Sequence, residues 1–582
     1  MGRDLVRALG TAVLGLLLSA ASCEGGALPA QLGLGVTPSE LELERGEGRT
    51  VELRVARVEA PGAVQVAPVA ETAGLRFDPV EIAADASTAP ATIEVAADAP
   101  LGVADLVLEA VAGAARATAT VQVRVVVPLP GVASVALIGG DETRSVRQGA
   151  GSVTLRLEGT NLEHVDGATL LGTPAAVGVA GDGRLDVAWS VPHGAALGPA
   201  DLLLHAVDGR EVIVAEALTI TPITAGPLGD DDTGRGTPAS PVRSLTRALS
   251  LAAAGDEVVL LAGTYSAAAG EVWPSYTGDE EPELLTGPNL PAGVRVRGVD
   301  RDGVTLVGPG SGVGAGTPAS VALAPAADAE VLDLTLRGFG VGLVASEGSV
   351  QVTDVHVTDV FGSAVAAVDR ADVTLVRVSV DRGEASPGFG VVAFGGARVT
   401  LLDSTIDRMT YAALVTESAT LRAERSALHG LLGVFANENA SIRLEDSRIE
   451  DVALVGILAS DRATVELRGT TVRAANVGID FGGRILRLRD SAIVEHRDVG
   501  VLVRDDPTVV DLGTAAEPGG NVLQGSAAYQ LHDARDPERT VVITLSDTVV
   551  GSAVPAPRLA NGPVDEPPLL RIDGASNKVS FD

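Results

Sequence analysis

Five residues between positions 403 and 424 combine the side-chain types that a binding site for a polar ligand needs. Carboxylates accept hydrogen bonds and transfer protons, arginine pairs with anions, and an aromatic ring packs on apolar surfaces. The insertion 381–388 precedes them and is expected to overhang a groove beside them. The sequence therefore predicts a ligand-binding group formed by Asp403, Asp407, Arg408, Tyr411 and Glu424.

No set of residues has the spacing of a known metal or catalytic site. The seven histidines are scattered. Those of the repeat region are expected at the surface or at repeat edges, not on a metal: His356, His429, His496 and His532. The run Asp230-Asp231-Asp232 lacks the alternating Asp pattern and the bidentate Glu of a calcium loop, which favours a solvated turn. We therefore predict no catalytic residue, no metal and no cofactor.

The composition favours β-structure and limits the partners. At 582 residues the chain exceeds one ordinary domain. It is 46% hydrophobic but only 2% aromatic, which suits thin layers of small β-branched side chains. The formal net charge of −33 repels phosphate backbones, so nucleic acid is not an expected partner.

One short pattern, apolar-x-apolar-x-x-small-or-apolar-x-apolar, repeats from Ala329 onward at intervals of 21 to 26 residues. A second apolar run follows many copies, as in Gly390-Val-Val-Ala-Phe394. Short strands at this period, without a helix, are typical of a parallel β-helix. A leucine-rich repeat has a similar period, but its fixed Asn and long Leu ladder are absent. We predict an all-β chain: a right-handed parallel β-helix of about 8–12 coils at 258–545, preceded by two Ig-like β-sandwich domains.

The repeat register also predicts which side chains face inward. The first and third residues of each copy point into the coil, and the second and fourth point to solvent. The predicted interior column is Val352, Leu375, Leu401, Ala423, Leu444, Leu467 and Leu488. The outward positions form a mixed-charge band, Arg422/Glu424, Arg443/Glu445, Glu466/Arg468 and Arg487/Arg489. This band either binds an acidic or polar glycan or, as we favour, is a self-paired solubilising face.

Aspartates recur where each copy bends. Asp403, Asp446 and Asp490 occupy the same position of their copies, and Gly469 takes that position in another. Asp and Gly both suit unusual backbone turns, so we expect these carboxylates to be turn formers before catalysts.

The repeats resemble the pectate-lyase-like right-handed β-helix, which pectate lyases, polygalacturonases and polysaccharide epimerases share. The chain lacks the Asn-Thr-Asp, Gly-x-Asp-Asp and Arg-x-Lys motifs of polygalacturonases and the Asp-Pro-His motif of alginate epimerases. A polysaccharide-active enzyme, whether lyase, hydrolase or epimerase, is therefore the alternative to a β-helix that binds without turnover.

Two β units precede the repeats. Residues 32–127 alternate between apolar and polar, as in an Ig-like sandwich of about seven strands. In residues 131–223 the segment Glu158-Gly-Thr-Asn-Leu162 is followed by a Gly-rich middle and a Val-Pro strand. This order resembles the IPT/TIG class of Ig-like domains, although Leu171-Gly172-Thr173 replaces its usual Phe-Gly-Gly turn. Both units are expected to act as spacers.

The segment that joins these units to the repeats has its own pattern. Residues 225–257 contain a polar, Gly/Pro-rich loop and then a helix with Leu245, Ala248, Leu249 and Ala252 at helical spacing. A strand and Gly263-Thr-Tyr265 follow. This order resembles the opening module of bacterial parallel β-helix proteins, a domain of unknown function. The helix is expected to cover the first coil, and residues 546–582 the last.

The N-terminus resembles a bacterial lipoprotein signal. Arg3 and Arg7 precede an apolar stretch that ends in Ala20-Ala21-Ser22-Cys23. Cleavage would remove residues 1–22 and leave Cys23, the only cysteine, as the lipidated end of a tether at 23–31. Ordinary secretion is the alternative.

These patterns predict an exported bacterial lipoprotein of the outer membrane or cell surface. Its β-helix is expected to be structural, adhesive or glycan-binding, with no catalysis. The expected partners are the membrane, through the lipid, and a polysaccharide or another surface protein. A secreted, unanchored binding protein differs from this only at Cys23.

Replacing Cys23 with Ser tests the anchor. Without the thiol no lipid can be attached, so the Cys23→Ser protein is expected to move from the membrane fraction to the soluble fraction. Fractionation followed by immunoblotting measures this. A variant that stays in the membrane fraction as before would contradict lipidation at Cys23.

Overall fold

The computed structural model describes the chain from residue 30 onward with several gaps. The described ranges are 30–140, 144–181, 183–273, 275–277, 283–286, 289–310, 319–383, 388–505, 507–514, 516–534, 543–545, 548–551, 559–561 and 570–572. The predicted signal sequence, Cys23, nearly all of the tether and much of 546–582 lie outside the described residues.

The first unit consists of two facing β-sheets. One has four strands and the other five, because alternate residues of each strand are apolar and share one core. Val51, Leu53 and Val55 are buried on one face of their strand. The nine strands are Gln31–Thr37, Glu40–Glu44, Gly48–Val58, Val64–Pro68, Leu75–Phe77, Val80–Ile82, Thr88–Val95, Gly102–Ala112 and Ala115–Val126.

The second unit is also sandwich-like and has its own core around the buried Trp189. The Trp189 indole donates a hydrogen bond to the Thr173 hydroxyl at 2.7 Å. Leu171 and Gly172 both have positive φ, the backbone of a tight hairpin turn. The strands are Gly131–Leu137, Ser145–Arg147, Gly151–Thr160, Val165–Leu170, Thr173–Gly181, Arg184–Val191, Gly198–Ala206 and Glu211–Thr221, and a 3-10 helix covers Leu162–His164.

A right-handed parallel β-helix forms the C-terminal part, which confirms the predicted fold class. One of its sheets has 14 parallel strands, hereafter the charged face. These strands are Ile223–Ala225, Glu257–Leu260, Arg295–Gly298, Ala329–Leu332, Ser349–Thr353, Asp372–Val376, Arg398–Leu402, Thr420–Glu424, Ser441–Glu445, Thr464–Arg468, Ile485–Arg489, Val509–Leu512, Ile543–Leu545 and Leu570–Ile572. The sheet extends beyond the predicted range 258–545, since Ile223–Ala225 precedes this range in the sequence and Leu570–Ile572 follows it.

The other sides of the coils belong to a sheet of 23 strands. Its strands up to residue 393 are Gly263–Ser266, Ser275–Thr277, Glu283–Thr286, Val304–Val307, Ala319–Leu323, Thr335–Arg337, Val341–Ala345, His356–Thr358, Ser363–Ala367, Ser379–Asp381 and Phe389–Ala393. The later ones are Thr405–Val415, Ala427–Ala436, Arg448–Ile449, Val455–Ala459, Thr471–Arg473, Val477–Phe481, Ala492–Val494, Val499–Val503, Val522–Gln524, Tyr529–Asp533, Val549–Gly551 and Leu559–Asn561.

The predicted interior column is confirmed. Each residue lies opposite the next on the neighbouring strand, and each is buried: Val352, Leu375, Leu401, Ala423, Leu444, Leu467 and Leu488. Parallel strands stack about 4.8 Å apart, so these side chains form a continuous apolar core.

The predicted aspartate turns are also confirmed. Asp403, Asp446, Asp490 and Gly469 have φ of 51°, 48°, 51° and 59°, in the left-handed region that Asp and Gly tolerate. The backbone N–H of each donates to a carbonyl of the next coil, as from Asp446 to Arg468. This corner therefore bends the chain and still stacks coil on coil.

A buried hydroxyl column follows the corner inside the coils. The Ser404 hydroxyl accepts a hydrogen bond from the Val378 N–H at 3.1 Å. Ser426 accepts likewise from Ser404, and Ser447 from Ser426, both at 3.1 Å. These side chains satisfy backbone donors that the bend removes from the strand pairing, which would otherwise be buried without partners.

The predicted helix covers the first coil at Leu245–Leu251. The Ser244 hydroxyl caps its N-terminus, and the buried carboxylate of Glu271 accepts hydrogen bonds from the first-turn amides. Leu245, Ala248 and Leu249 pack against the solenoid core. Within the described ranges, no helix is long and apolar enough to cross a membrane.

Buried polar contacts join the second unit to the solenoid. The Asp256 carboxylate lies 2.5 Å from His193 Nδ1. The Gln148 amide donates to the Ala195 carbonyl at 2.7 Å and accepts from the Glu257 N–H at 2.8 Å. Because the Asp256 and Gln148 side chains are buried, these contacts fix the start of the solenoid against the second unit.

Replacing Leu444 with Asp tests the register. The new carboxylate would be buried between coils without a partner, so we expect the solenoid to lose several kcal/mol of unfolding free energy. Ser441→Asp, on the outward side of the same strand, is the matched control and should change it by less than about 0.5 kcal/mol. Urea unfolding followed by circular dichroism measures both. Equal midpoints for Leu444→Asp and the parent would contradict the register.

Candidate functional site

The charged face is largely self-paired. Arg422 contacts Glu424 on its own strand and Glu445 on the next, the latter at 3.3 Å. Arg487 lies 2.7 Å from Glu466, and the same type of pair joins strands elsewhere on the sheet: Arg295–Glu330, Arg297–Glu257 and Arg489–Asp511. Such pairs leave most of the face electrically balanced, as the favoured interpretation of the sequence expected.

The corner aspartates pair with arginines of the adjacent coil. Arg377 binds the carboxylate of Asp354, and Arg425 binds that of Asp403, both through two guanidinium nitrogens. These hydrogen bonds hold the pKa of Asp354 and of Asp403 below its usual value. Both carboxyls are therefore stable anions, which suits a structural role better than that of a proton donor.

The structure divides the predicted five-residue group among different corners and faces. Asp403 and Glu424 share Arg425 at one corner. Asp407 pairs with its neighbour Arg408, which sits at the next corner with a φ of 58°. Tyr411 lies beyond that corner, on the third side of the coil. Among the described residues, no hydrogen bond or ion pair links these three parts.

Tyr411 belongs to an aromatic stack instead. Its ring lies 5.4 Å from that of Phe389 at 21°, and 5.9 Å from that of Phe435 at 47°. The three residues are on consecutive coils, so their rings run along the solenoid axis. This places three of the few aromatic residues of the chain on one outer surface.

That surface is hereafter the uncharged face. Its outward side chains form two columns. The first column is Val341, Ser363, Phe389, Tyr411, Leu432, Val455, Val477, Val499 and Tyr529. The second column is Val344, Ala366, Val392, Leu414, Phe435, Leu458, Asp480, Leu502 and His532. Most of these side chains are half-buried. Leu431 and Leu454, 45% and 47% exposed, extend the apolar surface at its edge. From Val341 to Leu458 neither column contains a charge.

Glycines shape the strands of the uncharged face. A Cβ on Gly433 would lie 2.2 Å from the carbonyl oxygen of Gly456, and one on Gly456 would lie 2.5 Å from that of Gly478. Only glycine allows the coils to approach this closely. The glycine and the residue after it are both buried in these strands, so a strand such as Val455–Ala459 runs out, in, in, out, in and does not alternate strictly.

Asp480 is a candidate functional residue that the sequence reasoning missed. It is the acidic member of the two columns, and burial raises its pKa above the usual value. The Arg504 Nε donates to its carboxylate at 2.5 Å and partly offsets this effect. The sequence signal was Asp480 itself, an acid within an otherwise apolar run.

The histidines have different environments. His356 lies on the surface, where its Nε2 is 2.7 Å from an oxygen of Asp381. His496 was expected at the surface or at a repeat edge; it does lie at a corner of the coil, but its side chain is buried there, at the position that Ala475 takes in the preceding coil. Its Nδ1 accepts the Ala475 N–H at 3.3 Å. Over the ranges that the structure describes, no three His, Cys, Asp or Glu residues are grouped as a metal site would require.

Two family models match parts of the chain. One, described as a protein of unknown function (DUF1565), matches residues 228–311. The other, described as a right handed beta helix region, matches residues 320–511. They support the predicted opening module and the β-helix that follows it. No curated protein matches the chain.

The chain is also similar to solved structures, at low identity. A mutant of the periplasmic alginate epimerase AlgG is 10% identical, covering 52% of this chain and 78% of its own, with a TM-score of 0.33. The titin domains z1z2 are 16% identical, covering 32% and 96%, with a TM-score of 0.17. SGBP-B of the Bacteroides ovatus mixed-linkage glucan utilization locus is 17% identical, covering 33% and 46%, with a TM-score of 0.13. Such scores assign neither a substrate nor a site.

His496 gives the solenoid a distinct pH dependence. Burial lowers its pKa from 6.5 to about 4, so the folded state holds it neutral while the unfolded chain protonates it below 6.5. Its contribution to stability is therefore complete above pH 6.5 and is lost as the pH falls towards 4. Between pH 7 and 5 we expect a loss of about 2 kcal/mol, since one pKa unit is about 1.4 kcal/mol.

Replacing His496 with Leu should remove that loss, and His532→Leu, at a half-buried outward position, should retain it. Urea unfolding at pH 7 and pH 5 compares the three proteins. The same pH dependence in the His496→Leu protein as in the parent would contradict this assignment.

Proposed function

We propose that the chain is an exported, surface-anchored protein whose β-helix adheres to polysaccharide and does not turn it over. The observation that carries this proposal is the uncharged face, which the sandwich units would hold away from the membrane. Lipidation at Cys23 would supply the anchor.

The uncharged face is unusual for a chain with a net charge of −33. Soluble proteins seldom expose large contiguous apolar surfaces unless these bind a partner, because contact with water is unfavourable for them. Here apolar and aromatic side chains continue coil after coil, a repeating surface that suits a repeating polymer. Such side chains pack on the C–H faces of sugar rings and need no charge on the ligand.

The charges of four paired carboxylates also favour binding over turnover. A glycosidase needs one carboxyl that is protonated near neutral pH, with a second carboxylate opposite it. Burial acts to raise the pKa of Asp381, Glu445 and Asp511, but their ion pairs and hydrogen bonds outweigh it, and the pKa of all three and of Asp403 is lowered, so these groups remain anions. Each of these carboxylates is already hydrogen-bonded to an arginine or a histidine.

A polysaccharide-active enzyme is the second candidate, and Asp480 is the observation that favours it. A carboxyl with a raised pKa beside the Arg504 cation is the type of group that donates or accepts a proton in such enzymes. It follows Leu458 in its column, directly after the stretch without charges, which would place it next to a polymer bound on the uncharged face. Asp480 is therefore included in the test.

Binding is tested with the full chain carrying Cys23→Ser, applied to an array of neutral and acidic polysaccharides. Leu432→Glu with Leu458→Glu introduces two charges on the uncharged face and should reduce binding to neutral polymers at least about tenfold, a loss of about 1.4 kcal/mol. The matched control, Thr400→Glu with Thr420→Glu on the charged face, should bind neutral polymers as the parent does. Equal binding by both double variants, or none by the parent, would contradict adhesion through this face.

Turnover is measured on the same polymers by the absorbance of unsaturated products and by reducing ends. The parent is expected to release neither. If the parent releases such products and the Asp480→Asn variant does not, the protein is an enzyme that acts through Asp480. Release that disappears only when Asp403 and Asp407 are both changed to Asn would assign activity to the predicted group instead.

A further inference from the structure

A groove of about 150 Å³ on the charged face has an excess of cations. Four arginines and two glutamates line it, in a chain whose net charge is strongly negative. Leu444 and Leu467, whose side chains point into the core, complete its lining. The lining arginines are Arg443, Arg468, Arg487 and Arg489.

The excess arises where the charge pattern breaks. On successive strands Arg443 faces Glu466, which faces Arg487, so this column alternates in sign. In the neighbouring column Glu445 faces Arg468, but Arg468 then faces a second arginine, Arg489. Like charges on adjacent strands repel, so this arrangement costs stability unless an anion lies between them.

Three of the four guanidinium groups are already engaged. Arg443 contacts Glu445, and Arg487 lies 2.7 Å from Glu466. Arg489 turns towards Asp511, at 2.7 Å. These contacts hold the three side chains in place without ligand, which lowers the entropy that binding must remove.

Arg468 differs from the other three. Its side chain is exposed, and within the described ranges its guanidinium group has neither a hydrogen bond nor an ion pair. Its nearest carboxylates along the two columns, Glu445 and Glu466, are committed to other arginines. The five N–H donors of the Arg468 guanidinium are thus free on the lining of the groove.

We propose that this groove binds the anionic groups of an acidic polysaccharide, with Arg468 as the principal contact. A guanidinium group forms paired hydrogen bonds with a carboxylate or a sulfate, and these are stronger than bonds between neutral groups. The groove is small and open to the surface, so it accepts one charged sugar of a longer polymer. This site goes beyond the adhesion proposed above, because it lies on a different face and selects a different chemistry.

The test uses the full chain with Cys23→Ser and measures binding by calorimetry at low and physiological salt. Polygalacturonate supplies carboxylates, a sulfated glucan supplies sulfates, and an uncharged glucan is the neutral control. The parent is expected to bind at least one acidic polymer, more weakly at higher salt, because ions screen exposed charges. The acidic polymer that binds with the higher affinity identifies the preferred anion.

Arg468→Gln should weaken that binding at least about tenfold. Arg398→Gln, an exposed arginine on the same face outside the groove, should change it by less than about twofold. Glu466→Gln removes the partner of Arg487 and should strengthen binding. Thermal unfolding of each variant confirms that the fold is retained.

Two results would overturn this proposal: equal affinity of Arg468→Gln and the parent for the acidic polymers, or no acidic binding by the parent at low salt. The uncharged face is intact in all of these variants. Loss of binding to acidic polymers alone, with neutral polymers bound as before, therefore separates this site from the proposed adhesive face.

Discussion

The backbone hydrogen bonding between successive coils is the interaction on which the rest of the structure depends. It fixes every strand in register with the next, and a slip of one residue would exchange inward and outward side chains on the charged face. The corner residues set the length of each side of the coil, and the column of Ser404, Ser426 and Ser447 satisfies donors that the corners leave unpaired. The interior column and both outer faces follow from this register.

Much of the solenoid could be predicted because its charged-face strands alternate strictly. The column through Leu444 and the turn at Asp446 follow directly from that alternation and from the residues that tolerate a left-handed backbone. The strands of the uncharged face could not be oriented in the same way, since a glycine such as Gly456 and the residue after it are both buried, which breaks the alternation. The burial of His496 and the surroundings of Asp480 depend on that part of the coil.

The predicted ligand group shows a second limit of sequence reasoning. Asp403 and Tyr411 are close in sequence, but two corners of the coil lie between the charged face and the side on which Tyr411 stacks. Proximity along a β-helix therefore does not imply a shared surface. The fold instead brings together residues at equivalent positions of adjacent coils, such as Phe389 and Tyr411, or Arg468 and Arg489. The proposed sites both come from such columns, one apolar and one cationic.

Thiol labelling of single-cysteine variants tests the central claim, that Leu432 and Phe435 point outward to form the uncharged face. In the Cys23→Ser background, the chain contains no other cysteine. Leu432→Cys and Phe435→Cys are expected to react with a soluble maleimide without denaturant, while Val434→Cys, buried between them, reacts only after unfolding. Rapid labelling of Val434→Cys in the folded protein, with protection at the other two positions, would contradict the uncharged face and the binding proposed for it.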